Sequence, residues 1–171
     1  MKKYIPVLIF LILTLLWVGF IWGNSAKSGE ESGEASSGVM EKLEDICDFL
    51  GIDMPLSERA IRKTAHFCEY LVLSILLCTD LFLILKERFL LKARKNMLFL
   101  LLSPAACALV ALIDEFVVQA MSIGRGPSFV DVLIDTSGAT VGMLIYGTVL
   151  FIILSRRAHR EKDVSESCKL P

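Results

Sequence analysis

Four apolar stretches of about twenty residues or more, parted by charged connections, constrain this chain more than anything else in it. A helix needs about 20 apolar residues to cross the hydrocarbon core of a bilayer. The stretches cover about residues 4–23, 64–85, 97–120 and 129–154. Charged residues make up 22% of the chain, close to the roughly 25% of ordinary soluble proteins. The charges are therefore segregated between the stretches, not scarce. No water reaches the bilayer core, so a backbone that crosses it must satisfy its own hydrogen bonds, and helices do so. The expected fold is an all-α, polytopic bundle of four transmembrane helices. It forms one membrane domain over residues 1–155, and a basic, disordered tail follows at 156–171. This pattern excludes a soluble Rossmann-type enzyme, a disordered chain and a secreted disulfide scaffold. A net charge of −1 excludes a generally basic nucleic-acid binder.

The first stretch follows Lys2 and Lys3, as a signal peptide would. Its length, the absence of an A-x-A cleavage site and the position of Trp17 and Trp22 near its far end favour a span. Those two tryptophans are expected at the membrane interface. Five cysteines, Cys47, Cys68, Cys78, Cys107 and Cys168, show no CxxC or Cys/His spacing and read as isolated thiols.

Basic residues set the expected topology. Twelve of the 18 Lys and Arg residues lie in three places: before span one, between spans two and three, and in the tail. Four spans put all three on one side, the cytoplasmic one. The first outer loop, 24–63, then carries nine acids and five bases. Residues 24–38 are rich in Ser, Gly and Glu and read as flexible. Val39, Leu43, Ile46 and Leu50 recur at helical spacing and predict a short amphipathic helix, ended by Gly51 and Pro55. Ser57 is the expected N-cap of the helix that continues into span two.

Ionisable groups inside a bilayer cost a few kcal/mol even on lenient scales, so their positions carry information. At about 100° per residue, Arg62, Lys63, His66, Glu69 and Tyr70 fall within an arc of about 120°. Span three holds Asp114, Glu115 and Gln119 near its end, with Glu115 and Gln119 sharing a face. Span four opens with Ser128, Asp131 and Asp135 and continues on the same face with Gly138 and Gly142, a small-xxx-small packing motif. Given the topology, all these polar ends meet in the outer half of the membrane. The expectation is an outward-facing polar cavity with Arg125 at its mouth. Structural readings compete at each position: a local His66–Glu69 pair, snorkelling of Arg62 and Lys63, and an Asp131 cap. Asp114 and Glu115 are adjacent and point about 100° apart, so one is expected to pair with Arg125 or Lys63. Asp80 is the charged intruder in the other half, so no polar route across the membrane is indicated.

In order along the chain stand W-x-x-x-x-W-x-x-S, R-K-x-x-H-F-x-E-Y, D-E-x-x-x-Q and R-x-x-S-x-x-D-x-x-x-D-x-x-G-x-x-x-G. Over about residues 14–150 this resembles the VanZ-like family of small bacterial membrane proteins, named for a teicoplanin-resistance protein. Where the family often carries Asn, this chain has Asp135, which weighs against that acid as an essential base. The resemblance implies a role in the envelope of a Gram-positive bacterium and low-level resistance to teicoplanin, a lipoglycopeptide that acts outside the cell. It leaves the biochemical activity open.

The first reading is binding of an envelope lipid head or a lipoglycopeptide by Arg62, Lys63, His66, Glu69, Tyr70, Asp114, Glu115, Gln119, Arg125, Ser128, Asp131 and Asp135. The second is an intramembrane enzyme acting on a lipid-linked envelope substrate. Its candidate catalytic residues are His66, Glu69 and Glu115, although no G-x-S-x-G or HExxH motif occurs. The third is a transporter, which calls for an internal repeat and a polar route that the sequence does not display. No cofactor or metal is assigned, although His with several carboxylates permits a divalent ion in the enzymatic reading. Membrane lipids are the expected partners, nucleic acid is not, and the oligomeric state is open.

Overall fold

The computed structural model describes residues 4–50, 57–91, 97–124 and 126–167. It is all-α, with no strand among the described residues. The helices are α1 (Ile5–Ser25), α2 (Gly29–Leu50), α3 (Glu58–Leu91), α4 (Leu102–Ile113) and α5 (Phe129–Ser167). A 3-10 segment, Met97–Leu101, leads into α4. A π turn, Asp114–Val118, and a 3-10 turn, Gln119–Met121, carry it on. Four helical stretches are long and apolar enough to cross a membrane: Ile5–Ser25, Glu58–Leu85, Leu98–Met121 and Phe129–Arg160.

Two expectations change. The flexible stretch expected at 24–38 is helical from Gly29, so the amphipathic segment is the second half of a longer α2. The reason is a capping box that hydrophobic periodicity does not detect, because it lies ahead of the apolar positions. Ser28 Oγ accepts the Glu31 N–H at 3.2 Å, and the Ser28 N–H donates to the Glu31 carboxylate at 2.9 Å. That donated bond holds the Glu31 carboxyl below its ordinary range. Secondly, the helix of the last span does not stop near residue 155 but runs to Ser167. A charged surface is no obstacle to a helix, and Arg, Lys, Glu and Ala are good helix formers. Trp17 and Trp22 pack against the core. The Trp17 indole N–H donates to the Glu69 carbonyl at 2.9 Å. The predicted cap at Ser57 is present, its Oγ accepting the Ala60 N–H at 3.2 Å. Ile46 and Leu50 of the predicted apolar stripe have no described side chains, and Gly51 and Pro55 lie outside the described residues.

Helix α1 runs antiparallel to α3. Thr14 donates to Asp80 at 2.7 Å toward one end, and Asn24 donates to Glu69 at 2.9 Å toward the other. α3 and α5 run parallel and form the most extensive helix pair among the described residues. Gly138 and Gly142 set that contact. A methyl group added to Gly138 would meet the Phe67 carbonyl oxygen, and one added to Gly142 would meet that of Leu71. Ser74 and Ser103 hydroxyls, 2.8 Å apart, join α3 to α4. Small residues thus let backbones approach, as membrane helices require. The buried centre contains Ile21, Tyr70, Leu73, Cys107, Ala111, Val132 and Ala139. The outside is apolar as well: Leu8, Leu15, Leu16, Leu109, Leu133 and Ile153 are exposed, which suits hydrocarbon and not water. Helix α2 packs on α3 through a face that buries Ser32 and Ser36, while Val39 and Leu43 remain exposed.

Candidate functional site

The polar groups gather at one end of the bundle, beneath the α1–α2 and α4–α5 connections. The two connections are tied together. Gly29 N–H donates to the Ile123 carbonyl at 3.0 Å, and Gly124 beside it turns with φ 79°, a conformation open to glycine. The Ser122 hydroxyl donates to the Ala26 carbonyl at 3.1 Å.

Below this tie lies a cavity of about 150 Å³ whose lining includes Arg62, Lys63, His66, Gln119, Asp131 and Asp135. Six of the residues predicted from sequence therefore share one wall. The helical arithmetic worked because α3 and α5 are regular here. Lys63 donates to Asp131 at 2.6 Å, with both side chains about one third exposed. Asp131 thus holds Lys63, one of the two bases expected to pair with Asp114 or Glu115. Arg125 lies outside the described residues.

Asp114 and Glu115 are both buried, 0% and 1% exposed. In a regular α-helix two adjacent side chains diverge by about 100°. Here they open the π turn, an extra-residue bulge that often marks functional sites, and both are directed into the protein. They share the Gln119 amide, which donates to Asp114 at 3.4 Å as well as to Glu115, and otherwise differ in their partners. Ser25 Oγ donates to Asp114 Oδ2 at 2.8 Å. Glu115 accepts the Ser128 backbone N–H at 2.7 Å and the Gln119 side-chain N–H at 2.6 Å. Glu115 thus joins the end of span three to the start of α5. Ser128 takes part through its backbone, not its hydroxyl.

His66 and Glu69 form the local pair expected from their i, i+3 spacing, with Nδ1 and Oε2 3.4 Å apart. Glu69, however, turns away from the first cavity. It faces a second one of about 190 Å³, enclosed by α1, α2 and α3 and lined also by Asn24, Lys27, Ser32 and Ser36. His66 and Arg62 border both cavities. Tyr70, one helical turn beyond His66, is fully buried, and its hydroxyl has no hydrogen-bond partner among the described residues. Asn24 and Ser25 were not among the predicted site residues. The signal for Ser25 was present in W-x-x-x-x-W-x-x-S, but its meaning, a hydroxyl held over Asp114, required the docking of α1.

The arrangement can bind polar or charged groups from two sides of His66, and it holds that imidazole between a carboxylate and a cavity. Asp114, Glu115 and Asp135 are almost wholly buried, and hydrophobic packing would hold the helices at lower cost. The family model described as VanZ/LLP1 matches residues 10–153, from within α1 to the membrane-crossing part of α5. No curated protein and no solved structure matches the chain.

Proposed function

We propose, starting from the fact that the chain belongs to the VanZ/LLP1 family, that this multi-pass membrane protein binds the polar head of an envelope lipid in the cavity between α3, α5 and the turn at Gln119. The supporting observation is the cavity wall itself: Arg62, His66, Gln119 and Asp135 converge on about 150 Å³ at the polar end of the bundle. Pockets that enclose a drug-sized molecule run to roughly 300–1,000 Å³. The space therefore suits a phosphate or another small head group, with acyl chains left in the bilayer beside the apolar helix faces. A lipoglycopeptide would reach it only with one end. Resistance to teicoplanin then follows from a change in the envelope or in drug accumulation at the surface.

The basic residues before α1, between α3 and α4 and after the last span support cytoplasmic termini under the positive-inside rule. The cavity then opens to the outside of the plasma membrane of a Gram-positive bacterium. A maleimide that cannot cross membranes tests this in a variant stripped of its own cysteines. Cysteine placed at residue 125 is expected to label in intact cells, and cysteine at residue 92 only after permeabilisation. The reverse pattern overturns the orientation.

The function is tested in a teicoplanin-sensitive Gram-positive host, with vancomycin alongside and membrane abundance measured. The expected result is protection selective for teicoplanin, lost in His66→Ala and in Glu69→Leu at equal abundance. Asp80→Leu, whose acid lies away from the cavity and accepts from Thr14, is expected to retain most of it. Equal effects of Glu69→Leu and Asp80→Leu would assign these acids to stability. Lipids that co-purify with wild type and are depleted in Arg62→Ala identify the head group, and no depletion counts against this cavity.

One observation favours a second reading, an intramembrane enzyme. His66 sits 3.4 Å from Glu69, and Asn24 fixes that carboxylate at 2.9 Å, as an orienting group fixes a general base. Loss of protection in His66→Ala with head-group binding intact would support chemistry over binding.

A further inference from the structure

We propose that the second cavity, enclosed by α1, α2 and α3, is a binding site of its own for an anionic single-chain amphiphile, with the anion on Arg62 and the chain against α2. It shares Arg62 and His66 with the first cavity and does not rest on the reading given for that one.

The lining of this space of about 190 Å³ is of two kinds. Lys27, Arg62 and Glu69 are charged, while Ala35, Val39 and Ile61 are apolar. Ala35 and Val39 share a face of α2, being four residues apart. Ser36 lies on the same wall, but its hydroxyl donates to the Ser32 carbonyl of its own helix at 2.8 Å. The α2 wall therefore offers little to a polar group. It is also held in place on both sides. The Gly29 N–H donates to the Ile123 carbonyl at 3.0 Å, and the Ser37 hydroxyl donates to Glu58 at 2.7 Å. The space is framed by the fold and is not a loose gap between helices.

The sign of the ligand follows from which charges are already engaged. Glu69 accepts from Asn24 at 2.9 Å and stands 3.4 Å from His66. Lys27 donates to Asn24 at 3.1 Å and lies within electrostatic reach of Glu31 and Glu69. Arg62 is part-buried, and its guanidinium makes no hydrogen bond or ion pair among the described residues. A cation drawn from water without a partner is costly. The guanidinium fork matches a phosphate or carboxylate with two parallel hydrogen bonds. A free anion would leave the α2 wall bare, and a neutral chain would leave Arg62 unpaired. A ligand that carries both an anion and a chain satisfies both.

The test uses the full chain in a nonionic detergent, with lysophosphatidate, the monoacylglycerol of the same chain, and inorganic phosphate as probes. Lysophosphatidate is expected to raise the thermal midpoint as its concentration grows, as a ligand of the native state does, and the other two to do so far more weakly. Arg62→Ala is expected to weaken lysophosphatidate binding about 10- to 100-fold. Ala35→Phe is expected to block the chain and lose the response. Ala35 is exposed, so this variant is expected to melt as wild type does without ligand. Should it melt early, Val39→Glu, at another exposed position of the same wall, carries the test. Lys63→Ala removes a cation that lines the first cavity and not the second, and is expected to bind lysophosphatidate as wild type does. A response to phosphate or to monoacylglycerol equal to that of lysophosphatidate overturns the proposal. Binding lost in Lys63→Ala but kept in Ala35→Phe and Val39→Glu places the amphiphile in the first cavity and overturns this proposal alone.

Discussion

Gly138→Leu is expected to prevent normal assembly of the bundle or to lower its stability by at least about 3 kcal/mol, the upper end of the usual range for overpacking. In most overfilled sites a neighbouring side chain rotates away. Here the obstacle is the Phe67 carbonyl oxygen on α3, part of a continuous helix that cannot move without displacing its own hydrogen bonds. Gly142 meets Leu71 in the same manner one turn on, so the two helices cannot relieve the clash by tilting about one point. Gly19→Leu is the control. Nothing lies within 4 Å of a side chain added there, and a change at such a position is expected to stay within about 0.5 kcal/mol. Thermal unfolding in detergent, together with membrane abundance, measures both. A Gly138→Leu protein that melts with wild type would show that α3 and α5 do not pack through this face.

Glu115→Leu is expected to destabilise by about 1–3 kcal/mol, because it removes the acceptor of the part-buried Ser128 N–H and the nearer of the two acceptors of the Gln119 amide, which also reaches Asp114 at 3.4 Å. The Ser128 N–H at 2.7 Å and the Gln119 amide at 2.6 Å both rely on this carboxylate. Because Ser128 begins the approach to α5, the loss is expected to loosen the α4–α5 connection before the rest of the bundle. Hydrogen exchange at residues 122–132 should then rise while exchange within the α1–α3 pair is little changed. Glu115→Gln keeps an acceptor oxygen and should recover most of the stability. If Leu and Gln behave alike, the carboxylate does not hold this connection.

Much of the architecture could be read from residue order. Helical periodicity predicted that Arg62, Lys63 and His66 share a face, and that Asp131 and Asp135 share one with Gly138 and Gly142. The structure brings those faces together. The same arithmetic takes no account of the turn that Asp114 and Glu115 open. It assumes 3.6 residues per turn, and the π turn at Asp114–Val118 departs from that. It also placed Glu69 in the same cavity as Asp135, whereas α1 draws Glu69 to the opposite side through Asn24. Periodicity describes one helix at a time, so it cannot report which of two neighbours a side chain at the edge of a stripe will join. The Ser28–Glu31 box is legible in the sequence, but the Ser- and Gly-rich composition around it points to a loop.

What the sequence determined by itself is the class: four apolar helices, an apolar exterior and polar residues confined to particular helical faces. Those properties follow from hydropathy and period, which are local. What only the tertiary structure decided is the pairing: Lys63 with Asp131, Ser25 with Asp114, Glu115 with the Ser128 backbone, and His66 set between Glu69 and the two aspartates. Partners up to 89 residues apart meet there, and such meetings depend on helix register and docking, which glycine contacts and a single π turn control across the whole bundle.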